Sequence, residues 1–153
     1  MPGLYRIQEG PLDLNEAVRA VAGPDRGAIA TFLGTGRDHN AGRRVLRLEY
    51  QAYAAMAERV MREIGEEITE RCGTPHTALL HRVGTVGIGE VSVIVAVAAA
   101  HRRQALAGCS HAIERLKSAV PIWKKEYFEG GAVWIEGPSG ADPAGGPASD
   151  PAR

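Results

Sequence analysis

The chain has 153 residues, of which 44% are hydrophobic and 24% are charged, a composition typical of a globular domain rather than of a disordered chain. Its 18 basic and 18 acidic side chains cancel, so the sequence predicts no global attraction to nucleic acid or to an anionic membrane. The longest apolar run, at 91–100, is too short for the roughly 20 residues that span a bilayer and is typical of a buried strand.

Apolar periodicity, together with capping and turn residues, predicts the elements in chain order. Strands are predicted at 4–8, 27–36, 45–50, 77–83, 90–99, 122–127 and 132–136. Residues 37–42 include asparagine and glycine, which tolerate positive φ, and are predicted to form a turn. Helices are predicted from the capping box Asp13–Glu16 to Gly23, over 53–71 and over 101–119. Because helices and strands do not alternate strictly, the pattern favours an α+β domain over a doubly wound sheet.

The two long helices each carry an apolar stripe that predicts the core-facing residues. In the helix at 53–71 the stripe is Tyr53, Met56, Ala57, Val60, Met61, Ile64 and Ile68. In the helix at 101–119 it is Ala105, Cys109, Ala112, Ile113 and Leu116. Residues 1–136 are therefore predicted to form one domain, and the Gly-, Pro- and Ala-rich residues 137–153 a disordered tail.

The two cysteines, Cys72 and Cys109, lie on helical patterns without CxxC or metal-ligand spacing. They are predicted to be small core or half-exposed residues in a reducing cytoplasm, and residues 1–6 lack the layout of a signal peptide. The histidines show no spacing suited to zinc, so the sequence predicts neither a metal site nor a cofactor.

The segment 101–126 carries six basic and two acidic residues, a net charge of +4 in a neutral protein. His101, Arg102 and Arg103 stand where a buried strand gives way to a helix. Free amides in the first turn of a helix favour an anion, and a bound phosphate would also neutralise these cations. The alternative is that Arg102 and Arg103 simply point to water.

Lys117 and Lys124 flank Pro121 at the other end of the same helix. A partly buried lysine near other cations can act as a nucleophile or a proton donor. The alternative for Lys117 is a favourable interaction with the C-terminal end of the helix dipole. Neither interpretation is excluded by the residues alone.

Arg37 follows the small residues Gly34, Thr35 and Gly36 at a predicted strand end. Glycines let a ligand approach the backbone, and arginine can bind phosphate or carboxylate through two hydrogen bonds. An ordinary hairpin corner would have the same residues. His81 lies within a predicted strand, where a histidine is more often a hydrogen-bonded core residue than a ligand.

Several motifs occur together, in order, over about residues 5–136. They are Gly27 to Gly34, Arg37, Leu48-Glu49-Tyr50, Met56, His81-Arg82-Val83-Gly84, Gly89-Glu90, His101-Arg102, Leu116-Lys117, Pro121-Ile122-Trp123-Lys124-Lys125-Glu126 and Trp134. As a set they resemble the large, catalytic subunit family of the molybdopterin synthases. The most specific single motif is Leu-Lys-x-x-x-Pro-x-Trp-Lys-x-Glu.

The resemblance implies an α+β fold of the α/β-hammerhead type, with an antiparallel or mixed sheet, about three helices and a homodimeric core. It implies a heterotetramer in which each end carries a small ubiquitin-like subunit with a C-terminal Gly-Gly thiocarboxylate. The implied activity is the transfer of two sulfurs from that thiocarboxylate to cyclic pyranopterin monophosphate (precursor Z), which gives molybdopterin. Such a sulfurtransferase needs no cysteine, metal or cofactor of its own.

By the same resemblance, Lys117 and Lys124 flank the incoming tail and assist sulfur transfer. Arg37, His101 and Arg102 bind the pterin phosphate, and Phe32 lines the entry. The family often has a hydrophobic residue before the arginine at 37, where this chain has Gly36. A basic residue commonly occupies the position of Gly137, and Arg103 is a candidate substitute for it.

His101 and Lys117 are sixteen positions apart on one predicted helix, a separation of about 24 Å. We therefore expect His101 and Arg102 to complete the pocket of a neighbouring subunit. A scaffold that binds a ubiquitin-like protein without catalysis is the alternative function. A third hypothesis is an unrelated enzyme that binds a phosphate-containing ligand at the same anion site. That hypothesis would not account for the Pro-Ile-Trp-Lys-Lys-Glu segment.

Overall fold

A computed structural model describes residues 3–136, so the predicted tail at 137–153 lies outside the described residues. The strands are β1 Gly3–Glu9, β2 Ala28–Thr35, β3 His39–Asn40, β4 Arg43–Ala52, β5 His76–Val86, β6 Val91–Ala99, β7 Ile122–Phe128 and β8 Gly131–Glu136. The helices are α1 Leu14–Val21, α2 Ala54–Cys72 and α3 Arg102–Ala119. Every predicted helix and strand is confirmed, and β3 is an addition within the predicted turn.

The long strand β5 joins two halves of a mixed sheet. Its first half lies between β6 and β1, and its end pairs with β4, which continues to β7 and β8. The β1–β5 pair is parallel, whereas β2, β4, β6, β7 and β8 pair in antiparallel fashion. This arrangement confirms the α+β prediction.

Strand β6 is buried on both faces, which explains its continuous apolar run. Val93, Val95 and Val97 belong to the larger core, against α2 and α3. Ile94 and its neighbours at 96 and 98 face the smaller core that α1 covers. No helix within residues 3–136 is long and apolar enough to cross a membrane.

The predicted stripe of α2 is confirmed from Ala57 onward, and Ala57 itself is fully buried. Met61, Ile64 and Ile68 are fully buried, but Tyr53 and Met56 are 49% and 47% exposed. Tyr53 is the N-cap residue in extended conformation, so helical periodicity does not apply to it. Its ring packs edge-on against Trp123 at 5.3 Å.

The capping box of α1 forms only in part. The Asp13 side chain accepts a hydrogen bond from the Asn15 amide at 2.9 Å, as an N-cap should. Glu16 does not complete the box, because its carboxylate accepts hydrogen bonds from the Arg6 guanidinium on β1. The helix is thereby attached to the edge of the sheet.

A two-residue turn, Ala41-Gly42, connects β3 to β4. Both residues have positive φ, 52° for Ala41 and 77° for Gly42, which is the pattern of a type I′ hairpin turn. The left-handed conformation costs an alanine about 1–2 kcal/mol, whereas asparagine tolerates it. The turn therefore forms against the local preference of Ala41.

We expect Ala41→Asn to stabilise the protein by about 1 kcal/mol, because asparagine is favoured before glycine in this turn. The midpoint of urea unfolding at a fixed protein concentration should rise with an unchanged m value. Ala41→Val is the matched control and should lower the midpoint, since a β-branched residue resists positive φ. A lower midpoint for Ala41→Asn would contradict the assigned turn.

Candidate functional site

A cavity of about 380 Å³ opens where the end of β2, the last turns of α3 and the start of β7 meet. Four of the predicted site residues line it: Phe32, Arg37, Lys117 and Lys124. Its wall is completed by Leu33, Gly34, Thr35, Tyr50, His81, Ser92, Val93, Ile113, Leu116, Val120 and Ile122. Three cations from three separate elements therefore share one cavity.

The chain brings the two lysines together by a tight reversal after α3. Lys117 lies in the last turn of the helix and is exposed. The amide of Ile122 donates to the carbonyl of Val120 at 2.8 Å, which directs the chain into β7. Lys124 follows on β7 with a side chain that is 17% exposed. Lys117 and Lys124, which lie on either side of Pro121, therefore line the same cavity.

The two adjacent lysines of β7 point to opposite faces of the sheet, as successive residues of a strand do. Their pairing with β8 is irregular, since Lys124 pairs with Glu136 and Lys125 pairs with Trp134. Lys125 takes the opposite face, where its ammonium lies 5.1 Å from the Tyr127 ring and 5.2 Å from the Trp134 ring. Only the first of the two adjacent lysines lines the cavity.

Arg37 reaches the cavity from the loop after β2. The amide of Gly36 donates to the carbonyl of Glu90, and the carbonyl of Gly36 accepts from the amide of Gly89 at 2.8 Å. A Cβ on Gly36 would lie 2.9 Å from the carbonyl oxygen of Gly87. The glycine before Arg37 therefore allows the loop to pack closely against the β5–β6 turn.

His81 and Tyr50 form a wall of the cavity that the sequence did not predict as a site. His81 is 5% exposed, and its Nδ1 lies 2.8 Å from the carbonyl oxygen of Arg82. Since a carbonyl only accepts, Nδ1 carries the proton of this bond. The Tyr50 ring packs edge-on against the imidazole at 5.0 Å. The prediction of a hydrogen-bonded core histidine is confirmed, and the ring also lines the cavity.

Glu126 is a buried carboxylate beside Lys124. Its side chain is 5% exposed, and one of its oxygens lies 3.9 Å from the Lys124 ammonium nitrogen. Both oxygens accept from the Asn40 side-chain amide at 3.1 Å. In the sequence, Glu126 ends the Pro-Ile-Trp-Lys-Lys-Glu motif and Asn40 belongs to the predicted turn, but no role is predicted for either residue. Their side-chain hydrogen bond joins residues 86 positions apart in the chain, so no local pattern indicates it.

His101, Arg102 and Arg103 lie at the opposite end of α3 from Lys117 and are exposed. None of the three is among the residues that line the cavity. His101 is the N-cap residue, and its side chain makes no capping hydrogen bond. Within one chain, the structure therefore separates these predicted phosphate ligands from Arg37 and the two lysines.

Neither cysteine is among the residues that line the cavity. Cys109 is buried in the core on α3, and burial raises the pKa of its thiol. A reactive thiol requires a lowered pKa, so this shift opposes a role as nucleophile. Within residues 3–136, no cluster of three or more His, Cys, Asp or Glu side chains could hold a metal ion.

Comparison with known proteins identifies the family of this chain. Residues 7–119 match the MoaE protein family. The chain belongs to the family of molybdopterin synthase catalytic subunits. The member from Halalkalibacterium halodurans is 42% identical over 131 residues, which cover 86% of this chain and 84% of that protein. The member from Bacillus subtilis is also 42% identical over 131 residues, which cover 86% of this chain and 83% of that protein.

The crystal structure of molybdopterin synthase from Staphylococcus aureus matches the fold with a TM-score of 0.83 at 37% sequence identity. The match covers 86% of this chain and 96% of that one. The predicted family and fold class are thereby confirmed.

Proposed function

We propose that this chain transfers sulfur from a thiocarboxylate at the C-terminus of a small ubiquitin-like subunit to precursor Z. Two transfers build the dithiolene of molybdopterin. In each, a carbon–sulfur bond forms on the pterin, water hydrolyses the carbon–sulfur bond of the donor, and the donor tail is left as a carboxylate. The convergence of Lys117, Lys124 and Arg37 on one cavity is the observation that carries the proposal. The curated relatives carry the name of molybdopterin synthase catalytic subunits.

The cavity suits two anionic reactants. Arginine binds phosphate or carboxylate through two parallel hydrogen bonds, so we assign the cyclic phosphate to Arg37. Lys117 and Lys124 are compact point charges with several donors, suited to a thiocarboxylate and to the charge that develops as sulfur is transferred. Phe32, 36% exposed on β2, lines the cavity and would supply an apolar contact.

We further propose that two copies of the chain form the core of a heterotetramer, and that His101 and Arg102 act in the cavity of the neighbouring copy. Their position at the N-terminus of α3, about 24 Å from Lys117 along the helix, supports this assignment. Arg103 is exposed beside them and is the proposed substitute for the basic residue absent at Gly137. We place the reaction in the cytoplasm, a location supported by the free thiols of Cys72 and Cys109.

The test is a single-turnover reaction of the purified chain with precursor Z and a thiocarboxylated small subunit. We expect molybdopterin to form, and none to form when the small subunit ends in an ordinary carboxylate. A non-catalytic scaffold is the competing function. It would bind the small subunit with the same affinity in both forms and yield no product, and that result would overturn the assignment of activity.

A further inference from the structure

The carboxylate of Glu126 is held in place from two sides. On one side, the Asn40 amide nitrogen lies 3.1 Å from each carboxylate oxygen. On the other side, the Lys124 ammonium lies 3.9 Å away. Tyr50 pairs with Lys124, and Leu48 pairs with Glu126, in the regular register between β4 and β7. Lys124 and Glu126 therefore occupy the same face of β7.

A carboxylate with 5% of its side chain exposed needs both hydrogen bonds and a countercharge. Asn40 supplies a hydrogen-bond donor but no charge. Lys124 supplies a positive charge within ion-pair distance. Because Asn40 fixes the carboxylate, it also fixes the point from which that carboxylate attracts the ammonium group.

Asn40 reaches Glu126 from the hairpin that follows Arg37. The hairpin is anchored by the amide of Val45, which donates to the carbonyl of Asp38 at 2.8 Å. It is also anchored at Arg43, whose guanidinium lies 4.3 Å from the centre of the Phe128 ring. Asn40 thus lies on an anchored hairpin, outside the cavity lining, in contact with the carboxylate beside a cavity lysine.

We propose that Asn40 is a positioning residue for sulfur transfer, acting through Glu126 to hold Lys124 in the cavity. The proposal rests on the sulfurtransferase function proposed above. Asn40 does not touch the reactants. Its effect is to keep the ammonium group of Lys124 at the position where the thiocarboxylate arrives, and misplacement of such a group by about 1 Å can cost about 10²-fold in rate.

The first test compares Asn40→Ala with the wild-type chain, each in complex with the thiocarboxylated small subunit. We expect the single-turnover rate constant at saturating reactants to fall about 10–100-fold. The dissociation constant of the small subunit should stay within about twofold, because Asn40 is not part of the cavity wall. His39→Ala is the matched control, since His39 lies on the same hairpin but is 72% exposed and contacts Asp38. It should retain the wild-type rate.

A second variant separates positioning from mere stability of the hairpin. In the double substitution Asn40→Asp with Glu126→Gln, the new amide can donate to the new carboxylate, so the link between hairpin and β7 is restored. The negative charge, however, has moved away from Lys124. We expect the thermal midpoint to return to that of wild type while the rate remains at the level of Asn40→Ala.

Recovery of the rate together with the midpoint would overturn the proposal, because hairpin stability alone would then explain the loss. A wild-type rate in Asn40→Ala would overturn it as well. Should Asn40→Ala not fold, Asn40→Ser and the double substitution carry the same comparison. Absence of product with the wild-type chain would instead refute the proposed function, so the two failures are distinguishable.

Discussion

Lys117→Ala is expected to reduce single-turnover formation of molybdopterin by about 10²–10⁴-fold, the range typical of losing a group that transfers a proton or stabilises developing charge. Lys117 projects from the last turn of α3 into the cavity shared with Arg37 and Lys124. Its removal leaves Arg37, the proposed phosphate ligand, in place, so precursor Z should bind with little change. The loss should therefore fall on the rate constant rather than on the dissociation constant.

Rapid-quench measurement of product at saturating reactants checks this expectation. Lys125→Ala is the matched control, because Lys125 adjoins Lys124 in sequence but lies against Tyr127 and Trp134 on the other face of β7. That variant should react at the wild-type rate. If Lys117→Ala reacted within about threefold of wild type, Lys117 would have no part in the chemical step.

Local patterns were sufficient to predict most elements of this fold. Strand β6 is a continuous apolar run because both of its faces are buried, and the stripe of α3 places Ala105, Ala112 and Leu116 in the core. Prediction failed where geometry is not periodic. Tyr53 fits the apolar spacing of α2, but its backbone is extended rather than helical. The two-residue strand β3 was predicted as turn because its pairing with β4 depends on the unfavourable conformation of Ala41.

The site was predictable only in part, and for a similar reason. Lys117 and Lys124 stand close in the sequence on either side of a proline, so their proximity has a local signal. Arg37 and Phe32 were assigned to the same cavity by resemblance alone. The contact between Asn40 and Glu126 has no local signal, since it depends on the register of β7 against β4 and on the position of the hairpin. Local periodicity carries no information on the pairing register of strands that are distant in the sequence.

A mixture of Lys117→Ala and Arg102→Ala chains is expected to recover activity that neither variant has alone. If His101 and Arg102 act in the neighbouring cavity, a mixed dimer contains one intact site, with Lys117 from one chain and Arg102 from the other. Random exchange makes half of the dimers mixed, so about a quarter of all sites should be intact in a two-fold symmetric assembly. The recovered activity should then approach about one quarter of wild type.

The matched control mixes Lys117→Ala with Lys124→Ala. Both lysines line the cavity of a single chain, so every site in these mixed dimers has lost one of them and activity should stay at the level of the separate variants. Differently tagged chains, co-expressed and purified over both tags, ensure that only mixed dimers are assayed, in which case half of the sites should be intact for the first pair. Tagged Lys117→Ala and Arg102→Ala dimers without activity would show that Arg102 acts in its own chain rather than in the neighbouring cavity. Wild-type activity of Arg102→Ala alone would instead place Arg102 outside the reaction, and the cations of a single cavity would then have to bind both anions.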